Sequence, residues 1–499
     1  MSTMKQLYIL SAGLIALLAA ACNKDHSTGV SRPIPAVKVS GLKDTFNVFT
    51  HKDFLKINPV VQNETGFDYY WTFFSADFTP GQGLVKADTL SRTKDLNYEV
   101  LQDPGPYILV FNIKDKRSGV TDQFNMTVNI TTLTMNGWYL LKDNGGKTDM
   151  DFIHSTGRID NWIANFNNGK SLDGNAVKAV FVPGFKTSPT SPTLFNTLMV
   201  LSADDAAIYR IDNGAMVMNF DNMFFTKPAT RKPQSVFQPM SNSNLGFVND
   251  GKAYNLVKGT LFSNFPLNYN NTVYNNLSPM TAVTALVFGF NLNTNSIFCI
   301  DGSNFVELKA TNGGNKLQNM QAHLQWMTGY AGNRSAAMML FRNPQDTGYL
   351  FKLDAHYGPL VGSGPLIMNL DTLKPEHSLM SASVIGGNYD IDLIYYAAGD
   401  KIYMTDVASL QENLQFTLPP GETVTCIQHI KYPQPVSATA PTTVNYIAIA
   451  TYNGGHYKVY LHTISGTGTL SAMPQANFEG DGRVSSIIYM EQGNGSRVF

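Results

Sequence analysis

The sequence predicts an all-β protein, a small N-terminal β-sandwich followed by a seven-bladed β-propeller. Three observations carry that prediction. A hairpin pattern recurs seven times between residues 138 and 461. The copies lie 44 to 59 residues apart, the length of one four-stranded blade. The hundred or so residues before the first copy hold about seven short strand candidates, which is sandwich spacing.

The hairpin is clearest at residues 391–406, IDLIYYAAGDKIYMTD, where two apolar, β-prone strands flank a Gly399-Asp400 turn. It returns at 444–461, 336–354, 284–301, 245–256 and 197–212, and more weakly at 138–152. Met150, Tyr209, Tyr254, Phe298, Tyr349, Tyr403 and Tyr457 mark equivalent places. A lone four-stranded sheet cannot bury both faces, so copies stack radially, each covering the next. Seven copies share residues 136–499 at 52 residues each, although six or eight blades stay open on spacing alone. Residues 483–490, RVSSIIYM, read as a blade's first strand with no blade after it. Residues 424–432, VTCIQHIKY, have the same form, so the C-terminal strand is expected to complete the first blade and close the ring.

Composition limits the function classes. Only 15% of residues are charged and the net charge is −1, with no basic block. Phosphate-backbone recognition has no electrostatic footprint, so no nucleic-acid partner is expected. Cys299 and Cys426 sit in apolar strand patterns and read as free buried thiols.

In chain order, residues 1–21 read as a signal peptide, with Lys5, an apolar run over 7–18, and Ala19-Ala20-Ala21 before Cys22. The small residues before Cys22 resemble a bacterial lipobox, which implies lipidation of Cys22. Ala19 departs from the usual leucine, and a plain cleaved signal is the other reading. Residues 22–35 then form a lipidated cysteine and flexible stalk, 36–132 the sandwich and 133–499 the propeller.

Within 36–132, Trp71 lies in a mid-domain strand where a sandwich core needs a large ring. Residues 104–115, PGPYILVFNIKD, resemble the closing strand of PKD-type Ig-like domains, although that family's DFGDG hallmark is absent after Trp71. Lipid anchor, PKD-like domain and C-terminal propeller together resemble the PKD-like family lipoproteins of the Bacteroidetes. The resemblance implies a surface-exposed outer-membrane protein encoded beside SusC/SusD-type uptake systems. It implies a membrane contact through the lipid, and SusC/SusD-type proteins or a glycan as partners. It supplies no catalytic residues.

No nucleophile elbow, zinc-protease motif, Walker loop or CxxC occurs, and no catalytic residue, metal site or cofactor is assigned. His456 and His462 share a strand at even spacing, but a third metal ligand is not evident. Residues 143–151, DNGGKTDMD, have a calcium-loop composition without the EF-hand spacing, and a hairpin turn accounts for them. Trp162, Trp326, Tyr269 and Tyr274 fall in less regular, partly Asn-rich stretches, and are the candidate ligand-binding rings. A sugar would stack on such a ring while amides and acids meet its hydroxyls; packing beneath loops is the competing reading.

The leading expectation is a non-catalytic, surface-anchored binding component of a glycan uptake system. The first alternative is a propeller glycoside hydrolase or polysaccharide lyase, with Asp204, Asp205, Asp301, Asp390 or Asp392 in the central well. The second is a protein scaffold for a transporter.

Overall fold

The computed structural model describes residues 37–499, apart from 78–85, 239–244, 258, 265, 270–271, 285, 302–303, 310–315, 331–335, 355–365, 434–440, 473–474 and 497–499. The signal segment, Cys22 and the stalk lie outside the described residues. The chain separates into two compact units, one formed by residues up to 48 with 52–100 and 105–129, the other by 49–51, 101–104 and 130–499.

The first unit holds a five-stranded sheet. Its strand order is Thr45–Phe49, Thr121–Thr131, Gly105–Asp115, Phe67–Ser75 and Asp88–Ser91. Two short pairs accompany it, Val39–Ser40 with Val60–Val61 and Phe54–Ile57 with Leu96–Glu99. Phe67–Ser75 and Gly105–Asp115 pair along their length, which sets Trp71 opposite Phe111. Their rings stack 4.5 Å apart, and the buried indole donates to the Lys94 carbonyl. Trp71 is therefore the core ring that the sandwich pattern requires.

The second unit is built of blades. Among the described residues there are seven such antiparallel sheets; six have four strands in simple sequence order, and that of blade 1 has six strands, two of them from the C-terminus. The recurrent hairpins supply the second and third strands, as in Leu393–Ala398 with Lys401–Asp406 and Val444–Asn453 with His456–His462. These strands are buried on both faces, which explains their apolar sequences.

Six innermost strands follow the chain: Ala176–Phe185, Pro233–Phe237, Leu277–Val283, His323–Tyr330, Val384–Gly387 and Thr423–Tyr432, in blades 2 to 7. Blade 1 takes its innermost strand from the C-terminus, because Arg483–Glu491 pairs with Gly137–Asn144. Each innermost strand contacts the next, and Arg483–Glu491 contacts both Ala176–Phe185 and Thr423–Tyr432, so the ring is closed. One apolar cluster fills every seam between adjacent blades.

Two local devices shape the centre. In six blades the innermost strand carries a register shift near its start, skipping Val177, Gln234, Gln325, Thr425 and Ser485 in five of them. Such bulges raise local twist and re-aim side chains, which lets a strand curve around an axis. Blade 6 lacks the shift, and its strand ends in Gly386-Gly387. A Cβ at Gly386 would fall 2.5 Å from the Ile427 carbonyl oxygen, and one at Gly329 only 1.7 Å from that of Val283.

A buried ionic cluster joins the first blade to the last. The Asp151 carboxylate, fully buried, accepts from Lys142 at 2.7 Å, Arg158 at 2.9 Å and the Tyr457 hydroxyl at 2.7 Å. The Asn161 amide donates to it as well. Lys142 and Arg158 belong to blade 1 with Asp151, and Tyr457 to blade 7. Removing the carboxylate leaves a buried ammonium unpaired, a loss of about 3–5 kcal/mol. Asp151→Ala is therefore expected to lower the propeller's thermal unfolding midpoint by several degrees, and Tyr457→Phe by less, about 1 kcal/mol. Calorimetry checks both; an unchanged midpoint in Asp151→Ala would show that the clasp contributes nothing.

Candidate functional site

The structure removes two of the four candidate rings from the surface. Trp162 is completely buried and opens the five-residue helix Trp162–Phe166. The helix is placed by Asp149, whose carboxylate accepts from the Ile163 and Ala164 amides and from the Ser171 hydroxyl. Burial holds the Asp149 carboxyl above its ordinary range despite these bonds. The Trp162 indole packs on Tyr139, Phe166 and Tyr209, in the seam between blades 1 and 2. Tyr274 is only 6% exposed and packs against Phe298 and Phe305. Neither ring is available to stack on a sugar. Tyr269 lies in a small hairpin, Asn268–Tyr269 with Thr272–Val273, and its side chain falls outside the described residues.

The histidines and acids also go to separate places. His456 is exposed and paired with Asp481 at 2.7 Å. His462 is fully buried, stacked on Phe416, and its Nδ1 meets the Ser471 carbonyl. Desolvation holds His462 below the usual imidazole range. Among the described residues no cluster of three metal-ligating side chains occurs. Asp204 and Asp205 occupy a blade 2 hairpin turn, and Asp205 pairs with Arg231. Asp390 pairs with Lys431 at 2.7 Å and Asp392 with Lys352, both on a loop of blade 6. Asp205, Asp390 and Asp392 are thus each paired with a neighbouring cation. The Asp301 side chain lies outside the described residues. The 143–151 stretch is the hairpin Gly137–Asn144 with Lys147–His154, turning at Gly145-Gly146.

Trp326 remains a candidate. Half-buried on the innermost strand of blade 5, it borders a cavity of about 240 Å³ in the seam with blade 6. Gln325, Arg342, Met280, Met380 and Ile385 complete much of the wall. Arg342 is held by Asp346 at 3.0 Å and donates to the Met380 carbonyl.

A second cavity, of about 360 Å³, flanks blade 5 on its other side, against blade 4. Its walls carry Gln318, Asn319, Gln321, Asn343 and Gln345 beside the half-buried Tyr349 ring. Two pinned segments present these amides. The connection from blade 4 to blade 5 is anchored by buried Leu317 and Met320. Its backbone is tied to the blade 4 turn by Asn319 N to Ser296 Oγ and Met320 N to Asn295 O. The turn of the blade 5 hairpin is organised by Asn343, whose Oδ1 accepts from the Gln345 and Thr347 amides, while its Nδ2 donates to the Tyr349 hydroxyl. The ring and the amides are thus fixed relative to one another. Of the lining residues only Lys316 is charged.

A third cavity, of about 370 Å³, lies over blade 7. Buried Glu422 borders it and accepts from Thr451, Lys458 and Tyr460. All three cavities draw on connections that lead into innermost strands and on hairpin turns. They therefore open at one end of the propeller, where the innermost strands begin. The amide cavity was not foreseen, because its residues come from three separated segments; the amide-rich runs KLQNMQ and FRNPQDTG were its only local signal.

Comparison with known proteins gives one family match and several structural likenesses. Residues 31–176 match the model of the PKD-like family. No curated protein matches the chain. Among solved structures, a quinonprotein alcohol dehydrogenase-like protein from Bacteroides thetaiotaomicron is similar at 12% identity and a TM-score of 0.43, over 91% of this chain and 97% of that one. The β-propeller domain of Cps50 (Swd1) from Myceliophteria thermophila is similar at 10% and 0.35, over 65% and 98%. The extracellular domain of a putative one-component system from B. thetaiotaomicron is similar at 10% and 0.36, over 84% and 61%. Among the described residues no helix is long and apolar enough to cross a membrane.

Cys299 and Cys426 are buried and in no disulfide, and burial pushes the Cys426 thiol up to about 12. Iodoacetamide at pH 8 is expected to leave both unmodified in the folded protein and to alkylate both in denaturant. Peptide mass mapping checks this; rapid native alkylation of Cys426 would contradict its placement.

Proposed function

We propose that this chain is a lipid-anchored, surface-exposed binding protein that holds a neutral glycan in the amide cavity between blades 4 and 5 without cleaving it. The observation that carries the reading is the pairing of the Tyr349 ring with five amide side chains on backbone pinned by its own hydrogen bonds. A pyranose needs an apolar face to stack on and neutral donors and acceptors for its hydroxyls, and amides supply both. Pinned loops lose little entropy when the ligand is bound. The near absence of charge favours a neutral sugar over a uronic acid. Cys22 would carry the anchor, and SusC/SusD-type outer-membrane proteins would be the partners that receive the glycan. The carboxylates on loops serve ion pairs, which supports binding over hydrolysis.

The enzyme reading has one observation in its favour, the buried Glu422 beside its cavity, with Glu479 on the same wall. Glu422 is already engaged by three donors including Lys458, so it is better suited to holding blade 7 together than to protonating a leaving group.

A glycan array with the full chain in detergent, with product analysis of each hit, tests both readings. Binding without turnover is expected. Tyr349→Ala should weaken it about tenfold or more, roughly 1.4 kcal/mol, and Trp162→Phe should not. Loss of binding in Trp326→Ala but not in Tyr349→Ala would move the site to the blade 5–6 cavity. Cleaved product that disappears in Glu422→Gln would establish the enzyme reading instead.

A further inference from the structure

Blade 5 carries a half-buried aromatic ring on each face, toward the same end. Its strands run in the order His323–Tyr330, Ala336–Arg342, Gly348–Asp354 and Ile367–Leu373. Leu340 and Phe341 are consecutive and so point to opposite faces. Phe341 joins the apolar cluster toward blade 4, and Leu340 the cluster toward blade 6. Tyr349 pairs with Phe341 and packs on the blade 4 side. Trp326 pairs with Leu340 and packs on the blade 6 side. The cavity of about 360 Å³ at Tyr349 and that of about 240 Å³ at Trp326 therefore lie on opposite faces of one sheet.

The two cavities meet at the blade 5 hairpin turn. Arg342 lines the cavity at Trp326, and the next residue, Asn343, lines the one at Tyr349. The turn repeats this division: Gln345 lines the Tyr349 cavity, whereas Asp346 holds Arg342 at 3.0 Å. Pro344, Gln345 and Asp346 are exposed, so the crest of the turn between the cavities is open to solvent. Packed sheets lie about 10 Å apart, which is also the separation of the seams on either side of one blade. The Trp326 cavity sits on the first two strands and the Tyr349 cavity reaches the third and fourth. That adds a sideways offset of one to two strand spacings, about 5–10 Å, and sets the cavities roughly 11–14 Å apart.

The Trp326 wall suits the same kind of ligand. Met280, Leu379, Met380 and Ile385 make it apolar, with Gln325 and Ser383 exposed at its rim. Of its lining residues only Arg342 is charged, and Asp346 pairs with it. The indole is backed by blade 6: a Cβ at Gly387 would fall 3.3 Å from Trp326 Cζ2. The ring is thus held in place before any ligand arrives, as Tyr349 is by Asn343.

We infer that the glycan is a neutral oligosaccharide long enough to cross the blade 5 turn, with one unit stacked on Tyr349 and a distal unit stacked on Trp326. The inference rests on the glycan reading of the Tyr349 cavity and adds a second contact to it. A ligand that fills both cavities gains from linkage once its length spans the gap, and a shorter one does not.

The test is titration calorimetry on the full chain in detergent, with a purified length series of the strongest neutral glycan from the array, about two to six units long. Affinity is expected to stay flat for the shortest members and to rise about tenfold or more near four units, where the chain reaches across the turn. Trp326→Ala should remove that rise and leave the shortest member's affinity unchanged, whereas Tyr349→Ala should weaken every member. Ser383→Trp adds bulk at the exposed rim of the same cavity without disturbing the packed seam, and should also remove the rise. Affinity independent of length, with Tyr349→Ala still weakening every member, would overturn the second contact and leave the glycan reading standing. A rise that survives both Trp326→Ala and Ser383→Trp would place the distal unit elsewhere and overturn the inference. Binding at no length would overturn both readings.

Discussion

The second unit depends on one pairing, that of the C-terminal strand Arg483–Glu491 with Gly137–Asn144. A ring of blades has no stable open form, because each sheet buries its faces only against its neighbours. Until the last strand docks, the blade 1 sheet lacks its innermost strand and the apolar clusters on either side of it are incomplete. Val484 and Ile487 enter the cluster toward blade 7, whereas Ile488 and Met490 enter the one toward blade 2. The strand thus seals two seams at once. The Asp151 cluster reinforces the same closure from farther out on the blades, since Tyr457 and Arg158 meet over that carboxylate. A buried ion pair of this kind adds little net stability compared with apolar packing, and its better-attested use is to specify one arrangement. In a ring of similar sheets, that use is registering the last blade on the first.

Closure also decides where binding can occur. The middle of each seam is filled by an apolar cluster, and the cavities lie toward the blade ends, where loops bridge neighbouring blades. The three cavities border the loops at one end. At the cavity between blades 4 and 5 the backbone is fixed by Asn343 and by the ties of the 316–322 connection.

What the sequence made legible follows the same physics. The second and third strands are buried on both faces and joined by Gly, Asn or Asp turns, so their hairpins stood out as near-continuous apolar runs. Innermost strands were harder to see. Bulges break their alternation and they mix Ser, Thr and Gln with aliphatic residues, so Arg483–Glu491 and Thr423–Tyr432 were recognisable while Pro233–Phe237 was not. Trp162 was misplaced because its stretch looks like a polar loop. The helix that buries it is ordered by Asp149, thirteen positions upstream, and no local pattern reveals so distant a partner. Tyr274 failed for a similar reason, since Asn-rich neighbours say nothing about the Phe298 and Phe305 rings that cover it.

The amide cavity was illegible for a stronger reason: it is a product of the ring. Gln321 and Asn343 are ordinary surface residues until blade 4 is set against blade 5. A pattern read along the chain detects which segments pair, because pairing partners are close in sequence and share a period. It does not detect which isolated polar residues converge, because convergence is set by the number of blades and by the levels at which glycines let the strands approach. In a propeller, therefore, the fold is carried by the repeated residues, and the chemistry by those that break the repeat.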